Sequence, residues 1–113
     1  MQVRTLPFKR ENIQKRPDLF MTTISQKPLI FRISYNPVAD AFFFDLFNRD
    51  GEVIIAGRRI VYFQDMLSNI SNKQFDFSLI PADKSGQMDD IGITVDNFGK
   101  EVKVYIIDHD NNG

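Results

Sequence analysis

The sequence predicts an all-β protein, a small barrel or sandwich of about six to seven mainly antiparallel strands with one short helical turn. Three observations carry that expectation. From residue 29 onward apolar residues recur at every second position, the period of a half-buried strand and not of a helix. The apolar stretches are short and are separated by Gly, Pro, Asn and Asp, the residues that turns require. The 113 residues are 42% hydrophobic, enough to build one core and too few for a two-domain enzyme.

Upstream of the clear alternation, Leu19, Met21 and Thr23 suggest an extra strand. Leu29, Phe31, Ile33 and Tyr35 then define the core face of the next one, with Ile30, Arg32 and Ser34 opposite. Pro37 breaks it, because its ring fixes φ and biases Asn36 toward an extended turn entry. The following strand places Phe42, Phe44 and Leu46 on one face and Phe43, Asp45 and Phe47 on the other, so both faces are apolar. Burial on two sides or a protein interface at Phe43 and Phe47 would account for this. Asp50-Gly51 predicts a hairpin turn, since glycine takes positive φ without steric cost. The return strand runs from about Glu52 to Tyr62, and Gly57 within it marks a bulge or a close backbone approach.

Phe63, Met66, Leu67 and Ile70 have the spacing of a helical turn, although Ser68-Asn69 and Ser71-Asn72 favour a loop. Phe75, Phe77 and Leu79 form a further strand that Pro81 is expected to close, and residues 82–91 read as an exposed polar loop. Ile91, Ile93 and Val95 suggest a brief strand, Asn97 to Lys100 a turn, and Val102, Val104 and Ile106 the final strand. The expected organisation is thus an extended basic N-terminal arm at 1–18, a single β domain at 19–108 and an acidic C-terminal tail at 109–113. The arm carries the apolar anchors Leu6, Phe8 and Ile13 among Arg4, Lys9, Arg10, Lys15 and Arg16. That is little apolar surface to offset the entropy of ordering, so the arm is expected to order only on a neighbouring subunit.

Charge and composition exclude several functions. The net charge is −1, which argues against a wholesale nucleic-acid surface and leaves only a local patch for that role. Residues 1–32 carry seven basic and two acidic side chains, whereas residues 83–113 carry three basic and seven acidic ones. The two segments either neutralise each other within the domain or meet between stacked subunits. There is no cysteine, which removes disulfides, thiolate metal sites and cysteine nucleophiles. His109 is the only histidine; zinc sites need several such ligands, and no Gly-x-Ser-x-Gly elbow supplies it with a nucleophile. A mobile tail histidine is expected. Asp108 to Gly113 resembles the opening of a calcium loop without its closing glutamate, and Asp89, Asp90 and Asp96 flank a turn; both are expected to be solvated. No cofactor or metal is expected. The apolar runs Ala41 to Phe44 and Val53 to Ala56 are far shorter than the roughly 20 residues of a membrane helix, so a soluble protein without a membrane role is expected.

The block Phe42 to Ile60 joins an aromatic strand, Asp45-Leu46, an Asp50-Gly51 turn and an apolar strand leading to Ala56-Gly57-Arg58. In this it resembles the phage baseplate plug family. Leu29 to Asn36 on one side, and Asp89 to Gly92 through Asn97-Phe98-Gly99 to Ile107 as a closing hairpin on the other, extend the resemblance over roughly residues 19–107. It implies a structural subunit of a phage or prophage-derived tail, at the baseplate or central hub. Such a subunit would be assembled in the bacterial cytoplasm into the virion, with other baseplate, hub or tail proteins as partners, alone or as a homo-oligomer, and with no catalytic residues. The interface candidates are Leu6, Phe8, Lys9, Arg10, Lys15, Arg16, Phe43 and Phe47. The alternative is an oligonucleotide-binding β-barrel module, for which stacking on the exposed aromatics would need interleaved basic groups. A small hydrolase or carbohydrate-binding module would need a concave site with convergent polar groups, which the sequence does not display.

Overall fold

A computed structural model describes residues 4–69, 75–86 and 91–109. Seven strands appear in chain order: β1 (Arg4–Thr5), β2 (Asp18–Ile24), β3 (Lys27–Asn36), β4 (Ala41–Asn48), β5 (Val53–Arg59), β6 (Phe77–Ala82) and β7 (Lys103–Asp108). They form two antiparallel sheets, one in the order β2-β3-β4-β5 and the other β1-β7-β6. The sheets are not closed on each other, so the architecture is a sandwich and not a barrel.

The alternation read from the sequence sets the layers. Leu29, Phe31, Ile33, Phe42, Phe44, Leu46 and Ile55 line the inner face of the larger sheet, and Phe77, Leu79 and Val104 come from the smaller one into the same buried cluster. Two tight turns fix the register of the larger sheet. Ser25 and Gln26, at φ 51° and 66°, join β2 to β3 with Ile24 opposite Lys27. Gly51, at φ 86°, turns β4 into β5, while the Asn48 side chain accepts from the backbone N–H of Asp50 and Glu52. Around Gly57, at φ 61°, the chain bulges: Phe44 faces Arg58 and Leu46 faces Ile55, so β5 carries an extra residue there. The Gly57 N–H donates to Asp45 at 2.7 Å.

Several expectations are corrected. Residues 63–69 are a series of turns, and no helix occurs among the described residues; Ile70 lies outside them. The reason is where the backbone donors go. Phe63 N–H donates to Pro81 O and Met66 N–H to Leu79 O, while Asp65 accepts from Leu79 N–H, so this loop lies along the outer edge of β6. A helix would have turned those donors onto its own carbonyls. Pro81 does not end β6, because its position on that outer edge costs no ladder hydrogen bond with β7. Residues 91–95 are not a strand. The Asn97 side chain, buried in that loop, accepts from Thr94 N–H at 2.8 Å and donates to Gly92 O at 2.8 Å, giving the backbone a partner other than a ladder.

The N-terminal segment differs most. Residues 4–13 are not an arm apart from the domain: Arg4–Thr5 pair with β7, Leu6 N–H donates to Val104 O at 2.9 Å, and Leu6 and Ile13 belong to the core. His109 is likewise no free tail residue. Its N–H donates to Asp76 O, and its Nε2 lies 2.6 Å from Ser78 Oγ, because the chain continues beside β6 past the end of β7.

Candidate interaction surface

The candidate residues separate into three groups. Leu6 is buried, and Phe8 is half-buried with its ring 4.7 Å from that of Phe98. Arg10 donates through Nη2 to Val95 O at 2.8 Å and through Nε to Phe98 O at 3.1 Å. These three are intramolecular anchors. They seat the segment against the 95–104 region through ring packing and backbone carbonyls. The fit is close at Gly99, at φ 89°, where an added Cβ would lie 3.1 Å from Arg10 Cβ and 3.2 Å from Phe8. Lys9, Lys15 and Arg16 form the second group, with exposed side chains. Lys9 N–H binds the Asp18 carboxylate, and the N–H groups of Lys15 and Arg16 donate to Asn12 O.

Phe43 and Phe47 form the third group, and the register gives them neighbours. Side chains paired across an antiparallel ladder share a face. Met21 pairs with Ile30, Ile30 with Phe47, and Phe47 with Val53, so one apolar row crosses all four strands of the outer face. The adjoining rows add Leu19 beside Arg32 and Asp45, and Phe43 beside Ser34 and Arg59. Met21 is 62% exposed and Val53 60%, values unusual for apolar residues set in one contiguous row. Phe43, Phe47 and Ile30 are half-buried. The sequence pointed to Phe43 and Phe47; Met21, Leu19, Ile30 and Val53 join them only once the pairing of neighbouring strands is known.

This face carries one ion pair and, beside Phe43, the exposed Arg59. Arg32 Nη2 lies 2.7 Å from Asp45 Oδ2, and the Arg32 guanidinium sits 5.9 Å from the Phe47 ring centroid. The other Asp45 oxygen holds the Gly57 bulge. One ion pair and the additional Arg59 in an apolar field do not offer the interleaved cations that stacked, phosphate-bearing strands require. With two open sheets in place of a closed barrel, the oligonucleotide-binding alternative also lacks its fold.

Elsewhere the polar chemistry is sparse. The Ser78 and His109 pair is exposed, and no carboxylate holds the imidazole among the described residues. Asp89, Asp90 and Asp110 to Gly113 lie outside the described residues. Within the described residues no three His, Asp or Glu side chains gather in a metal-binding group, and no helix is long and apolar enough to cross a membrane.

Among the described residues the chain forms two antiparallel sheets, the larger with an apolar outer face that no described element covers. Comparison with known families gives the class: the chain matches the family described as cyanophage baseplate Pam3 plug gp18 over residues 4–110. It belongs to this family, and its role is that of a structural protein of the phage baseplate. No curated protein matches the chain.

Proposed function

We propose that this chain is an assembled subunit of a phage baseplate or central hub, or of a prophage-derived tail-like particle. It works through protein–protein contact on the outer face of β2-β3-β4-β5 and performs no catalysis. The observation that carries the reading is the row Met21, Ile30, Phe47 and Val53, an apolar surface that no described element covers, on the opposite side of the sheet from the core. Arg32 and Asp45, paired within that face, would fix orientation more than strength, as interfacial ion pairs do. Other baseplate or tail proteins are the partners, met in the bacterial cytoplasm before the virion is complete. Lys9, Lys15 and Arg16, exposed on the segment that precedes β2, supply a cationic margin for an acidic neighbour.

Side-chain footprinting by radical labelling tests this on isolated protein and on purified tail particles. The labelling of Phe47 and Val53 is expected to fall in the particle while that of exposed Val38, in the β3–β4 turn, stays high. Equal labelling of Phe47 and Val53 in both states, or particles without this chain, would refute the proposal.

A further inference from the structure

Four sheet edges bound the sandwich, and among the described residues three are closed. β1 is two residues long. The outer edge of β6 is covered by the 61–69 loop through its bonds to Pro81 O, Leu79 O and Leu79 N–H. β5 is bulged and carries Gly57, and the Arg58 side chain turns back to donate to Met66 O and Ser68 O. Bulges, short length and covering loops are the usual protections of an edge. β2 has none of them. It is seven residues long, it pairs on one side only, and no described group bonds the backbone of its free side.

The turn fixes which groups are free. In a two-residue hairpin the flanking residues, here Ile24 and Lys27, exchange hydrogen bonds, and every second pair does likewise. Ile24, Thr22 and Phe20 therefore bond β3, whereas the N–H and C=O groups of Thr23, Met21 and Leu19 point away from it. Pro28 agrees with this phase: it stands opposite Thr23, a pair that exchanges no hydrogen bond, so its missing N–H costs the ladder nothing. The outward backbone thus belongs to the residues whose side chains are exposed, with Leu19 at 64% and Met21 at 62%.

We propose that β2 is a self-pairing edge, at which two copies of this chain join antiparallel across a two-fold axis at Met21 and merge their larger sheets into one. The register is self-complementary. Met21 faces the partner's Met21 and Leu19 faces the partner's Thr23, and each such pair exchanges two hydrogen bonds. No charged residue lies between 19 and 24, so no like charges meet inside the ladder. The ends select the antiparallel sense. Asp18 comes beside the partner's Ile24, whose β3 neighbour is the partner's Lys27, so opposite charges share a row at each end. A parallel pairing would set Asp18 next to its own copy. The apolar row of the outer face would then run unbroken from one subunit into the next. This proposal goes beyond the baseplate reading and does not depend on it, since it concerns the purified protein alone.

Sedimentation velocity over a concentration series, with hydrogen exchange on the same samples, provides the test. A reversible dimer is expected, with the amides of Leu19, Met21 and Thr23 gaining protection as concentration rises. Met21→Lys and Met21→Glu each set like charges opposite each other and should weaken association about tenfold or more while keeping the melting temperature that the wild type has at concentrations where it is monomeric. An equal mixture of the two variants should associate again, because the register places the Lys against the Glu. A wild-type protein that stays monomeric with those three amides exchanging freely would overturn the proposal. So would a Met21→Lys variant that dimerises normally, or a mixture that fails to associate.

Discussion

On the inner face of the four-stranded sheet Phe31, Ile33, Phe44 and Leu46 are at most 1% exposed, whereas one residue along the same strands Ile30, Phe43 and Phe47 are half-buried. At the margins of the outer face Leu19, Met21 and Val53 are 60% exposed or more. Both faces carry large apolar side chains, the outer one with Arg32, Asp45, Ser34 and Arg59 among them; what differs as well is the layer against them. The inner face meets the smaller sheet and the loops that close the core, and the outer face meets no other part of the described chain. Apolar side chains on the first determine whether the protein folds, and those on the second are free to determine what it joins. That separation makes the two faces open to different experiments.

The largest effect is expected from truncating the inner face. Phe44→Ala should cost about 3–5 kcal/mol in urea unfolding, through lost burial and the cavity left behind. Val53→Ala on the outer face should stay within about 0.5 kcal/mol. Similar costs at the two positions would erase the distinction between the faces. Next is the turn that holds both faces in register. Gly51→Val should cost about 1–2 kcal/mol by forcing a β-branched residue to positive φ. An added Cβ at Gly51 meets nothing within 4 Å, so the loss is one of conformation and not of space. An unchanged unfolding midpoint would mean that the turn relaxes to another type.

A smaller effect separates the two partners of the outer ion pair. Arg32→Ala removes an exposed pair and should cost about 0.2–1 kcal/mol. Asp45→Ala should cost more in the same measurement, since it also leaves the Gly57 N–H without its partner. The smallest effect lies at the end of the inner face, where Tyr35 donates to Asp40 at 2.6 Å. That hydrogen bond, then desolvation, then the Asp40 charge raise the phenol above its usual pKa of 10.0. The fold favours the protonated phenol, so this contribution is complete below the unfolded pKa and fades as the pH rises through the folded one. An ultraviolet titration of Asp40→Asn should show tyrosine ionisation beginning at lower pH than in the wild type.

The sequence made the hairpins of β3, β4 and β5 legible because their signals are local: strict alternation, Asp50-Gly51 and Gly57 each act within a few residues. What it concealed depends on hydrogen-bond and packing partners that periodicity does not show. Residues 91–95 alternate like a strand, yet a single buried Asn97 reorganises them through its side chain. Phe63, Met66 and Leu67 have helical spacing, yet the edge of β6 draws off the backbone donors of Phe63 and Met66, and the Asp65 carboxylate takes that of Leu67. The N-terminal segment has too little apolar surface to pack by itself. It is held because Arg10 finds the carbonyls of Val95 and Phe98, and because Gly99 leaves room for Phe8 and Arg10. Half of the outer face was visible in Phe43 and Phe47; the remainder depends on which strands are neighbours, which no single strand encodes.

The outer face is proposed to serve assembly and not folding. The double variant Phe47→Ser with Val53→Ser, away from the β2 edge, tests it most directly when its incorporation into tail particles is quantified beside its unfolding midpoint. The variant should keep a folded core with a loss of no more than about 2 kcal/mol, and its incorporation should fall about tenfold or more, as expected when apolar residues at the centre of an interface are removed. Particles that take up the folded variant at the wild-type level would contradict it.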